Sequence, residues 1–539
     1  MFDILHSRCE DSLEIIFTNC LRILENQTWG RVLEELGAKI EPESLPQLLQ
    51  SIKSVALPSY LTDLARLEWA LYQISKSSST IPTQAELTIN PSLVLLPLSH
   101  KNLFELINGD APESDVETAE DVNGLLWKYP SIDEIRYREA DDDDLLALKL
   151  VLEEIPVEQA ASEGGVSVAS IEAVLHHGVS QGILLAPPSK IKRRGETAAF
   201  ATNEFQGFQS ADIFTLQYHI TQACDLHCKH CYDRRQVTTL SRQQARGVID
   251  DFHEFCQKMR VKGQVTFTGG NPLLYPHFEE IYRLASESGF GLAILGNPSP
   301  LYELERLLRI EKPLFFQISL EGLERHNDEI RGEGHFQRSL EFLDTLQQMD
   351  IYAMVMLTLT NDNLNQVLAL GELLRDRADL FTFNRLSAVG EGANLLMADP
   401  AEFRHFLMEY QEATTRNPVL ALKDNLFNII RDEQDLELVG GCTGYGCGAA
   451  FNFFSLLADG EVHACRKFPS PIGNILENSL TEIYHSARAE KYRNGSSACK
   501  ECRLNPVCRG CLAVVHSYGL DISKDKDPFC FYSDPTHNS

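Results

Sequence analysis

The pattern of hydrophobic and polar positions changes along the first 190 residues. Apolar residues recur at helical spacing in LPSYLTDLARLEWALYQI, which predicts a helical domain over residues 1–110. Two alternating runs, VNGLLWKY and IDEIRYRE, are typical of strands and flank a Pro-Ser turn. A helix capped by DDDD, two shorter helical stretches and the strand-like ILLAP follow. Residues 116–188 therefore have the element order of a winged helix.

Beyond this point the pattern becomes a repeated alternation of strands and helices. The polar stretch at residues 190–212 predicts a linker. Six β-type runs then alternate with amphipathic helices; they are FTLQYHI, QVTFT, GLAILG, LFFQISL, YAMVMLT and LFTFNRL. Repeated βα units imply a parallel sheet with right-handed crossovers, so residues 213–430 predict an α/β fold, a partial (β/α)6 barrel of TIM type. Such folds bind ligands beyond the C-terminal ends of their strands.

Charge and hydropathy exclude two classes of partner. The chain has 48 Lys and Arg against 77 Asp and Glu, a net charge of -29, which opposes binding to nucleic acid or an anionic membrane. The N-terminal stretch has no basic region before an apolar run, so no signal peptide is predicted. Apolar runs such as LVLLPL fall far short of the ~20 residues of a membrane span. We therefore expect a cytoplasmic protein.

Most of the cysteines are clustered, and in a reducing compartment clustered thiols indicate metal ligands more often than disulfides. Three of the 14 cysteines, Cys224, Cys228 and Cys231, form CDLHCKHC directly after the first barrel strand. A closed zinc site takes four ligands, and a cubane iron-sulfur cluster normally takes four thiolates. Three thiols would leave one iron of such a cluster open to a substrate or cofactor.

The C-x3-C-x2-C spacing after strand one resembles the signature of the radical S-adenosylmethionine (radical SAM) enzymes. The resemblance implies that Cys224, Cys228 and Cys231 hold a 4Fe-4S cluster whose fourth iron is chelated by S-adenosylmethionine. It also implies that one electron from the cluster breaks a C–S bond, and that the resulting 5'-deoxyadenosyl radical abstracts a hydrogen atom.

Two further stretches match the cofactor-binding motifs of this family. TGGNP resembles the GGE loop that holds the methionine amino group, which implies this role for Gly269 and Gly270. Asn271 replaces the usual glutamate and brings no charge. His230 occupies a position that is normally aromatic and is implied to lie beside the adenine; a simple hydrogen-bonding role in the loop is the alternative.

The stretch ISLEGLERHNDEIRG resembles the SLDG…IRG segment of the family. The resemblance implies that Ser319 and Arg331 contact the ribose and carboxylate of the cofactor, with Glu321 in place of an aspartate. Asn297 and Leu386 lie at the ends of the third and sixth predicted strands. They are expected to line the cofactor site, or else to form structural turns.

Eight more cysteines lie between Cys442 and Cys530, and their spacing alone also fits two zinc sites. The array resembles the SPASM extension of radical SAM enzymes, which implies a cysteine-rich domain over 440–539 with two auxiliary 4Fe-4S clusters. The spacing before Cys511 departs from the family pattern. Matching by order implies one cluster held by Cys442, Cys447, Cys465 and Cys511, and another held by Cys499, Cys502, Cys508 and Cys530.

The whole layout resembles radical SAM enzymes that modify ribosomally made peptides. In that comparison residues 116–188 resemble a recognition element to which a leader peptide adds as a strand; a purely structural docking domain is the alternative. The resemblance implies a precursor peptide with a leader as substrate and a reductant such as ferredoxin or flavodoxin. The auxiliary clusters would remove an electron from the oxidised substrate. The layout also resembles maturases described as thio(seleno)oxazole-forming, which implies modification at cysteine or selenocysteine.

Two other functions are alternatives to the modification of a peptide. Sulfatase-type formylglycine maturases carry an aspartate directly after the cysteine of G-x4-C, whereas this chain has Arg466, which argues against that activity. A non-catalytic iron-sulfur scaffold for binding or electron transfer is favoured by Asn271. The intact cysteines of the CDLHCKHC loop count against it.

Overall fold

The computed structural model describes residues 12–37, 40–77, 86–129, 134–166, 168–193, 203–235 and 237–532. It divides the chain into two compact units, Met1–Pro188 and Ser189–Ser539. The predicted Pro-Ser turn at residues 130–131 and the centre of the predicted linker, residues 194–202, lie outside the described residues.

The first unit combines helices with a small antiparallel sheet. Its helices are α1 (Leu13–Ile16), α2 (Thr18–Leu36), α3 (Leu45–Leu48), α4 (Leu61–Lys76), α5 (Leu103–Asn108), α6 (Asp142–Leu152), α7 (Val157–Gly164) and α8 (Val168–Ser180). Its strands are β1 (Thr88–Ile89), β2 (Val94–Lys101), β3 (Glu117–Lys128), β4 (Ile135–Glu139) and β5 (Leu184–Leu185). The strands form a β2-β3-β4 sheet and a separate β1-β5 pair, both antiparallel.

The sequence-based elements of this unit are present, and the aspartates before α6 cap it as predicted. The Asp141 side chain accepts a hydrogen bond from the Asp144 backbone N–H at 2.8 Å. The structure adds β2, which the sequence analysis treated only as an apolar run. β2 pairs with β3 over most of its length, so the boundary predicted between residues 110 and 116 falls inside one sheet. Pro97 interrupts the strand pattern there and is tolerated because β2 is an edge strand.

The second unit is built on one nine-stranded sheet. Its first six strands are β6 (Ile213–Thr221), β7 (Lys262–Gly269), β8 (Gly291–Leu295), β9 (Phe315–Ser319), β10 (Ala353–Leu359) and β11 (Leu380–Arg385). These strands are parallel and lie side by side in chain order, which confirms the partial barrel. The helices between them are α9 (Arg242–Met259), α10 (Phe278–Glu287), α11 (Leu301–Leu308), α12 (Glu324–Arg331), α13 (His335–Gln348) and α14 (Val367–Leu374).

The cysteine-rich segment continues the same sheet. Its strands are β12 (Phe453–Leu456), β13 (Glu461–His463) and β14 (Pro471–Asn474), and β12 pairs in parallel with β6. The Ser455 hydroxyl donates to Gln217 Oε1 across this seam at 2.9 Å. The remaining helices are α15 (Pro400–Thr414), α16 (Phe427–Glu433), α17 (Leu480–His485), α18 (Ala487–Asn494) and α19 (Leu512–Ser517).

The described ends of the predicted linker are parts of the second unit. Ile191 and Phe205 are buried in its core, and Ser189 Oγ donates to the Ala211 carbonyl at 2.6 Å. Arg193 is also buried and donates to the Cys447 carbonyl at 2.8 Å. The linker prediction was therefore wrong for these ends, because a few apolar residues anchor a stretch whose overall composition is polar.

Within the described residues no helix is both long enough and apolar enough to cross a membrane.

Candidate active site

The three-cysteine loop follows β6 at the C-terminal edge of the barrel sheet. Cys224 is exposed, whereas Cys228 and Cys231 are half-buried. The Cys231 N–H donates to the Cys228 carbonyl at 3.2 Å, and the Lys229 N–H donates to the Ile330 carbonyl at 2.9 Å. These bonds hold the loop as a turn against the end of α12.

The glycines of TGGN allow this loop and the end of β7 to lie in backbone contact. A Cβ on Gly269 would lie 2.1 Å from the Thr221 carbonyl oxygen, and one on Gly270 would lie 2.1 Å from that of Ala223. The Asn271 N–H donates to the Ala223 carbonyl at 2.7 Å. The close approach that requires glycine is therefore an approach to the cysteine loop, and this contact positions the loop.

A buried ionic group lies beneath the cysteine loop. Glu321 Oε1 lies 2.6 Å from Arg331 Nη2 and 2.7 Å from His230 Nε2, and Oε2 accepts from the Thr358 N–H at 2.8 Å. Burial by itself would raise the pKa of Glu321, but His230 and Arg331 outweigh it and hold this pKa well below its usual range. Arg331 Nη1 also lies 3.8 Å from Cys228 Sγ.

This arrangement gives Glu321 a positioning role toward the predicted site. Its side chain is 1% exposed and both of its oxygens are occupied by protein groups, so it orients Arg331 and His230. The side chains of Arg331 and His230 are each 10% exposed. Arg331 thereby brings a fixed positive charge to the Cys228 thiol.

The other predicted cofactor residues lie at neighbouring strand ends. Ser319 is the last residue of β9 and is half-buried. Asn297 follows β8 and is buried, with Nδ2 at 3.6 Å from Cys224 Sγ. Leu386 follows β11 and is 2% exposed, and its N–H donates to the Leu359 carbonyl at 3.0 Å. The structure thus brings residues from five strands of the barrel to one edge.

Two features of this edge were missed by the sequence analysis. The loop after β11 packs on the cysteine loop: Gly390 has φ +56°, a Cβ on it would lie 2.5 Å from the Tyr232 carbonyl oxygen, and the Glu391 N–H donates to the Cys231 carbonyl at 2.9 Å. The sequence feature that could have indicated this contact is the GEG tripeptide at residues 390–392. The second feature is Asp225, which accepts hydrogen bonds from the side chains of Asn271 and Asn297. The only sequence feature that could have identified Asp225 is its position directly after Cys224.

The C-terminal cysteines line two separate cavities in the second unit. The first cavity, of about 520 Å³ counted with its opening to solvent, is lined by Cys442, Cys447, Cys465 and Cys511. The second cavity, of about 410 Å³ on the same basis, is lined by Cys499, Cys502, Cys508 and Cys530. This division matches the two ligand sets implied by order along the chain, and it places Cys511 in the first set despite its unusual spacing.

The charges around these cavities suit an anionic group. Lys423 and Lys467 line the first cavity, and Arg509 and Lys526 line the second. Asp424 lines the first cavity and Asp527 the second, and both carboxylates are paired with Arg385. Among the residues that the structure describes, no carboxylate lies within ion-pair distance of these four side chains. Burial lowers the pKa of the Lys423 ammonium and of the Arg509 guanidinium. Four thiolates around an iron-sulfur core carry a net negative charge, so the residues fit such a cluster at each cavity.

Nowhere in the described part of the chain do three or more His, Cys, Asp or Glu side chains converge on one metal-ion position. A cubane cluster does not require such convergence, because each thiolate binds a different iron.

An ion pair joins the cysteine loop to the first cavity. Arg466, directly after Cys465, is paired with Asp233, and its guanidinium lies 4.8 Å from the centre of the Tyr232 ring. Asp233 is also bound by Arg235 at 3.1 Å. Arg466 therefore acts as a structural cation at the position where formylglycine maturases carry an aspartate.

Comparison with known families agrees with these sites. A family model described as "Radical SAM superfamily" matches residues 218–374, and one described as "Iron-sulfur cluster-binding domain" (SPASM) matches residues 447–512. The first match contains the three-cysteine loop and the strand ends from β7 to β10. The second contains six of the eight C-terminal cysteines, from Cys447 to Cys511. Both domains expected from the sequence are present.

Similar curated proteins have more than one function. One protein named "AdoMet-dependent heme synthase" from Methanosarcina barkeri is 25% identical to this chain. The matched region covers 59% of this chain and 96% of that protein. One named "Mycofactocin maturase MftC" from Mycolicibacterium smegmatis is 27% identical, with 58% of this chain and 82% of that protein covered. One protein named "Sporulation killing factor maturation protein SkfB" from Bacillus subtilis is 27% identical, with 53% of this chain and 68% of that protein covered.

Among solved structures, Streptococcus suis SuiB bound to precursor peptide SuiA shares the fold. The TM-score is 0.50 at 16% identity, over 76% of this chain and 96% of that one. The matched 76% of this chain is more than residues 189–539 could supply alone, so the likeness of fold extends into the first unit.

We predict that Gly270→Ala prevents the cysteine loop from holding its cluster. The new Cβ would lie 2.1 Å from the Ala223 carbonyl oxygen and would push the loop away from β7. Iron bound after anaerobic reconstitution should fall by about four per chain, the content of one cubane cluster. Gly247→Ala is the matched control, because its Cβ would have no atom within 4 Å. Undiminished iron in Gly270→Ala would contradict the positioning role of this glycine.

We predict that Glu321→Gln lowers the free energy of unfolding by about 3–5 kcal/mol near neutral pH, because it leaves Arg331 and His230 buried without their anion. The folded-state pKa of Glu321 is below its usual 4.5, so its stabilisation is present above pH 4.5 and is lost as the pH falls through the lowered pKa. Chemical denaturation should therefore show that the difference in the free energy of unfolding between the protein and the variant becomes smaller below pH 4.5.

The control for this comparison is Glu329→Gln, which removes an exposed partner of Lys229. Its effect should stay below about 1 kcal/mol. An effect of Glu321→Gln that is equally small, or one that does not change with pH, would contradict the assigned role.

Proposed function

We propose that this protein, which carries a radical SAM domain and a C-terminal SPASM iron-sulfur domain, is an enzyme that modifies a ribosomally made precursor peptide. The observation that carries this proposal is that the second unit contains the radical SAM domain and the first unit contains an antiparallel sheet. A sheet of this kind can accept an added peptide strand. The fold likeness to SuiB, which covers part of the first unit, supports the same conclusion.

The residues at the barrel edge divide the work of holding the cofactor. The radical SAM domain implies S-adenosylmethionine and a 4Fe-4S cluster, and Cys224, Cys228 and Cys231 are the proposed ligands. When bound, this pair supplies a carbon radical that abstracts hydrogen from the substrate. Nε and Nη2 of Arg331 donate to Glu321 Oε1, and Nη1 faces the Cys228 thiol, so Nη1 is the donor proposed for the cofactor carboxylate. The remaining proposed contacts come from His230, Gly269, Gly270, Asn271, Asn297, Ser319 and Leu386.

We propose two auxiliary 4Fe-4S clusters, one in each cysteine-lined cavity, which gives three clusters in all. Each cavity offers four cysteines, so each cluster would be fully ligated by protein and would have no iron open to substrate. Full ligation suits electron transfer. The Arg466–Asp233 ion pair joins the cysteine loop to the first cavity and would hold these two centres at a constant separation.

The leader of the precursor is proposed to add to the β2-β3-β4 sheet at its β4 edge. β4 pairs only with β3 among the described strands, and its five residues are all partly exposed. β2, at the opposite edge, contains Pro97, which has no N–H to offer an added strand. The β4 edge is therefore the better template for main-chain hydrogen bonds.

The chemistry proposed for the peptide is oxidative modification at cysteine or selenocysteine, with loss of a further electron through the auxiliary clusters. Relatives named as maturases of mycofactocin and of sporulation killing factor support a maturation reaction. A reducing cytoplasm is the compartment proposed for such clusters, with ferredoxin or flavodoxin as reductant.

A second candidate substrate is a tetrapyrrole, since relatives named "AdoMet-dependent heme synthase" are similar over 59% of this chain. The peptide is favoured because the likeness of fold to peptide-bound SuiB covers 76% of this chain and so extends into the first unit.

We predict that the reconstituted, reduced protein releases 5'-deoxyadenosine and that a variant with Cys224, Cys228 and Cys231 changed to alanine does not. The protein should bind about twelve irons and the variant about eight, because only the cluster of the barrel edge is lost. Iron analysis and chromatography of the nucleoside measure both. Release by the variant would contradict the assigned site, and about four irons in the intact protein would contradict auxiliary clusters.

We predict that a precursor peptide carrying its leader slows hydrogen exchange at Ile135–Glu139, because new main-chain bonds would protect the β4 amides. Mass spectrometry of the full-length protein with and without peptide measures this protection. The same peptide without its leader serves as the control and should leave β4 unchanged. Tight binding of the complete precursor without protection of β4 would overturn the proposed docking edge, and turnover of a tetrapyrrole in place of any peptide would overturn the proposed substrate.

A further inference from the structure

A serine, a histidine and an aspartate of the first unit form one hydrogen-bonded chain. Ser59 Oγ lies 3.1 Å from His100 Nε2, and His100 Nδ1 lies 3.0 Å from Asp63 Oδ2. Ser59 is exposed, whereas His100 is 7% exposed and Asp63 is 5% exposed. The Tyr60 ring packs edge-on against the His100 ring, with 6.3 Å between the ring centres. The chain thus runs from the surface inward in the order hydroxyl, imidazole and carboxylate.

Two different elements bring these residues together. Ser59 lies two residues before α4, and Asp63 lies in the first turn of that helix, whereas His100 lies near the end of β2. The pairing of β2 with β3 is irregular between Leu98 and His100, and the N–H of the intervening Ser99 donates to Asp63 Oδ2 at 2.7 Å. Irregularities of this kind give side chains a new direction and are frequent beside active sites.

The partners of Asp63 determine which nitrogen of His100 carries the proton. Arg66 Nη1 lies 3.1 Å from Asp63 Oδ1, so the carboxylate is paired as an anion. An ionised carboxylate only accepts hydrogen bonds, so His100 Nδ1 donates to Asp63 and Nε2 keeps its lone pair. The Ser59 hydroxyl is therefore the donor to Nε2, and this is the tautomer that a general base requires.

The start of α4 also supplies hydrogen-bond donors within four residues of Ser59. The backbone N–H groups of Thr62 and Asp63 lie in the first turn of this helix, and neither has an acceptor among the described residues. Backbone N–H groups of this kind stabilise an oxygen that gains negative charge during a reaction. The hydroxyl, the base, the carboxylate and the N–H donors are the parts that acyl transfer to a serine needs.

We propose that Ser59 and His100, with Asp63 as a positioning residue, form a second active site that hydrolyses carboxylic esters. Ser59 Oγ attacks the acyl carbon while its proton passes to His100 Nε2. The C–O bond to the leaving alcohol then breaks, and Nε2 returns the proton to that alcohol. Water hydrolyses the acyl-serine by the same two proton transfers, so an ester and water give an acid and an alcohol.

The substrate class follows from the openness of this site. Ser59 is exposed, so the acyl group is attacked at the surface of the first unit. An alcohol leaves more readily than the amine of a peptide bond, which makes an ester the acyl compound that fits such a site. This activity requires none of the iron-sulfur sites and is independent of the function proposed above.

The test uses the full-length reconstituted protein and diisopropyl fluorophosphate, which reacts with serine hydroxyls that a histidine activates. A phosphoryl group should attach at Ser59, and mass spectrometry of the digested protein locates it. The unlabelled protein should hydrolyse p-nitrophenyl acetate, and the labelled protein should do so at least about 100-fold more slowly. Absence of label at Ser59 in the unchanged protein overturns the proposal without any variant.

Variants identify the nucleophile and the base. Ser59→Ala and His100→Ala should each lower the rate of ester hydrolysis about 100-fold or more. Ser54→Ala is the matched control, because Ser54 is also exposed but its hydroxyl is bound by Glu35 and by no imidazole. Undiminished hydrolysis by Ser59→Ala, or an equal loss in Ser54→Ala, overturns the proposal.

Asp63→Asn tests the positioning role, because an amide nitrogen can donate to His100 Nδ1 and so reverse the tautomer. The rate of labelling at Ser59 should fall about 100-fold or more in this variant. Asp63→Glu keeps a carboxylate and should recover about tenfold of that loss. A purely structural role for Asp63 would leave the labelling rate of folded Asp63→Asn unchanged, and this outcome overturns the proposal.

Discussion

The pairing of β6 on both of its edges is the constraint on which the rest of the second unit depends. β6 is hydrogen-bonded in parallel to β7 on one side and to β12 on the other. It ends in the cysteine loop, and β12 begins shortly after Cys447. Because main-chain bonds set the spacing between adjacent strands at about 4.8 Å, this seam places the cysteine loop and the C-terminal cysteines in one framework. The ion pair between Arg466 and Asp233 also joins the cysteine loop to the first cavity.

Charge is distributed differently at the two kinds of site. Beneath the cysteine loop, Glu321, Arg331 and His230 form a compact buried group in which the anion is fully bound and the cation faces a thiol. Around the C-terminal cavities, Lys423 and Arg509 lack a carboxylate partner among the described residues, and burial lowers their pKa values. The first arrangement orients residues toward a bound cofactor. The second provides positive charge for a buried anion, as fully ligated clusters would require.

Much of this organisation could be predicted from the sequence, but the boundaries could not. The six barrel strands and α4 follow from local periodicity, and strand ends in an α/β sheet are where ligand groups collect. The edge strand β2 was missed because Pro97 interrupts its pattern, although an edge tolerates proline. The polar composition of the stretch after Pro188 predicts a linker, whereas Ile191, Phe205 and Arg193 anchor its described ends in the core. Composition averages over a segment, and burial is decided by a few residues.

The sequence by itself determined which residues are the candidates for the chemistry. The spacing of Cys224, Cys228 and Cys231, the motifs at successive strand ends and the order of the eight later cysteines are local patterns, and the structure gathers them as those patterns imply. Only the tertiary structure decided the seam between β6 and β12 and the amides that hold Asp225. Gln217 and Ser455, for example, meet across 238 residues of chain. Such contacts depend on how separate elements pack, and no local pattern of polar and apolar residues encodes that packing.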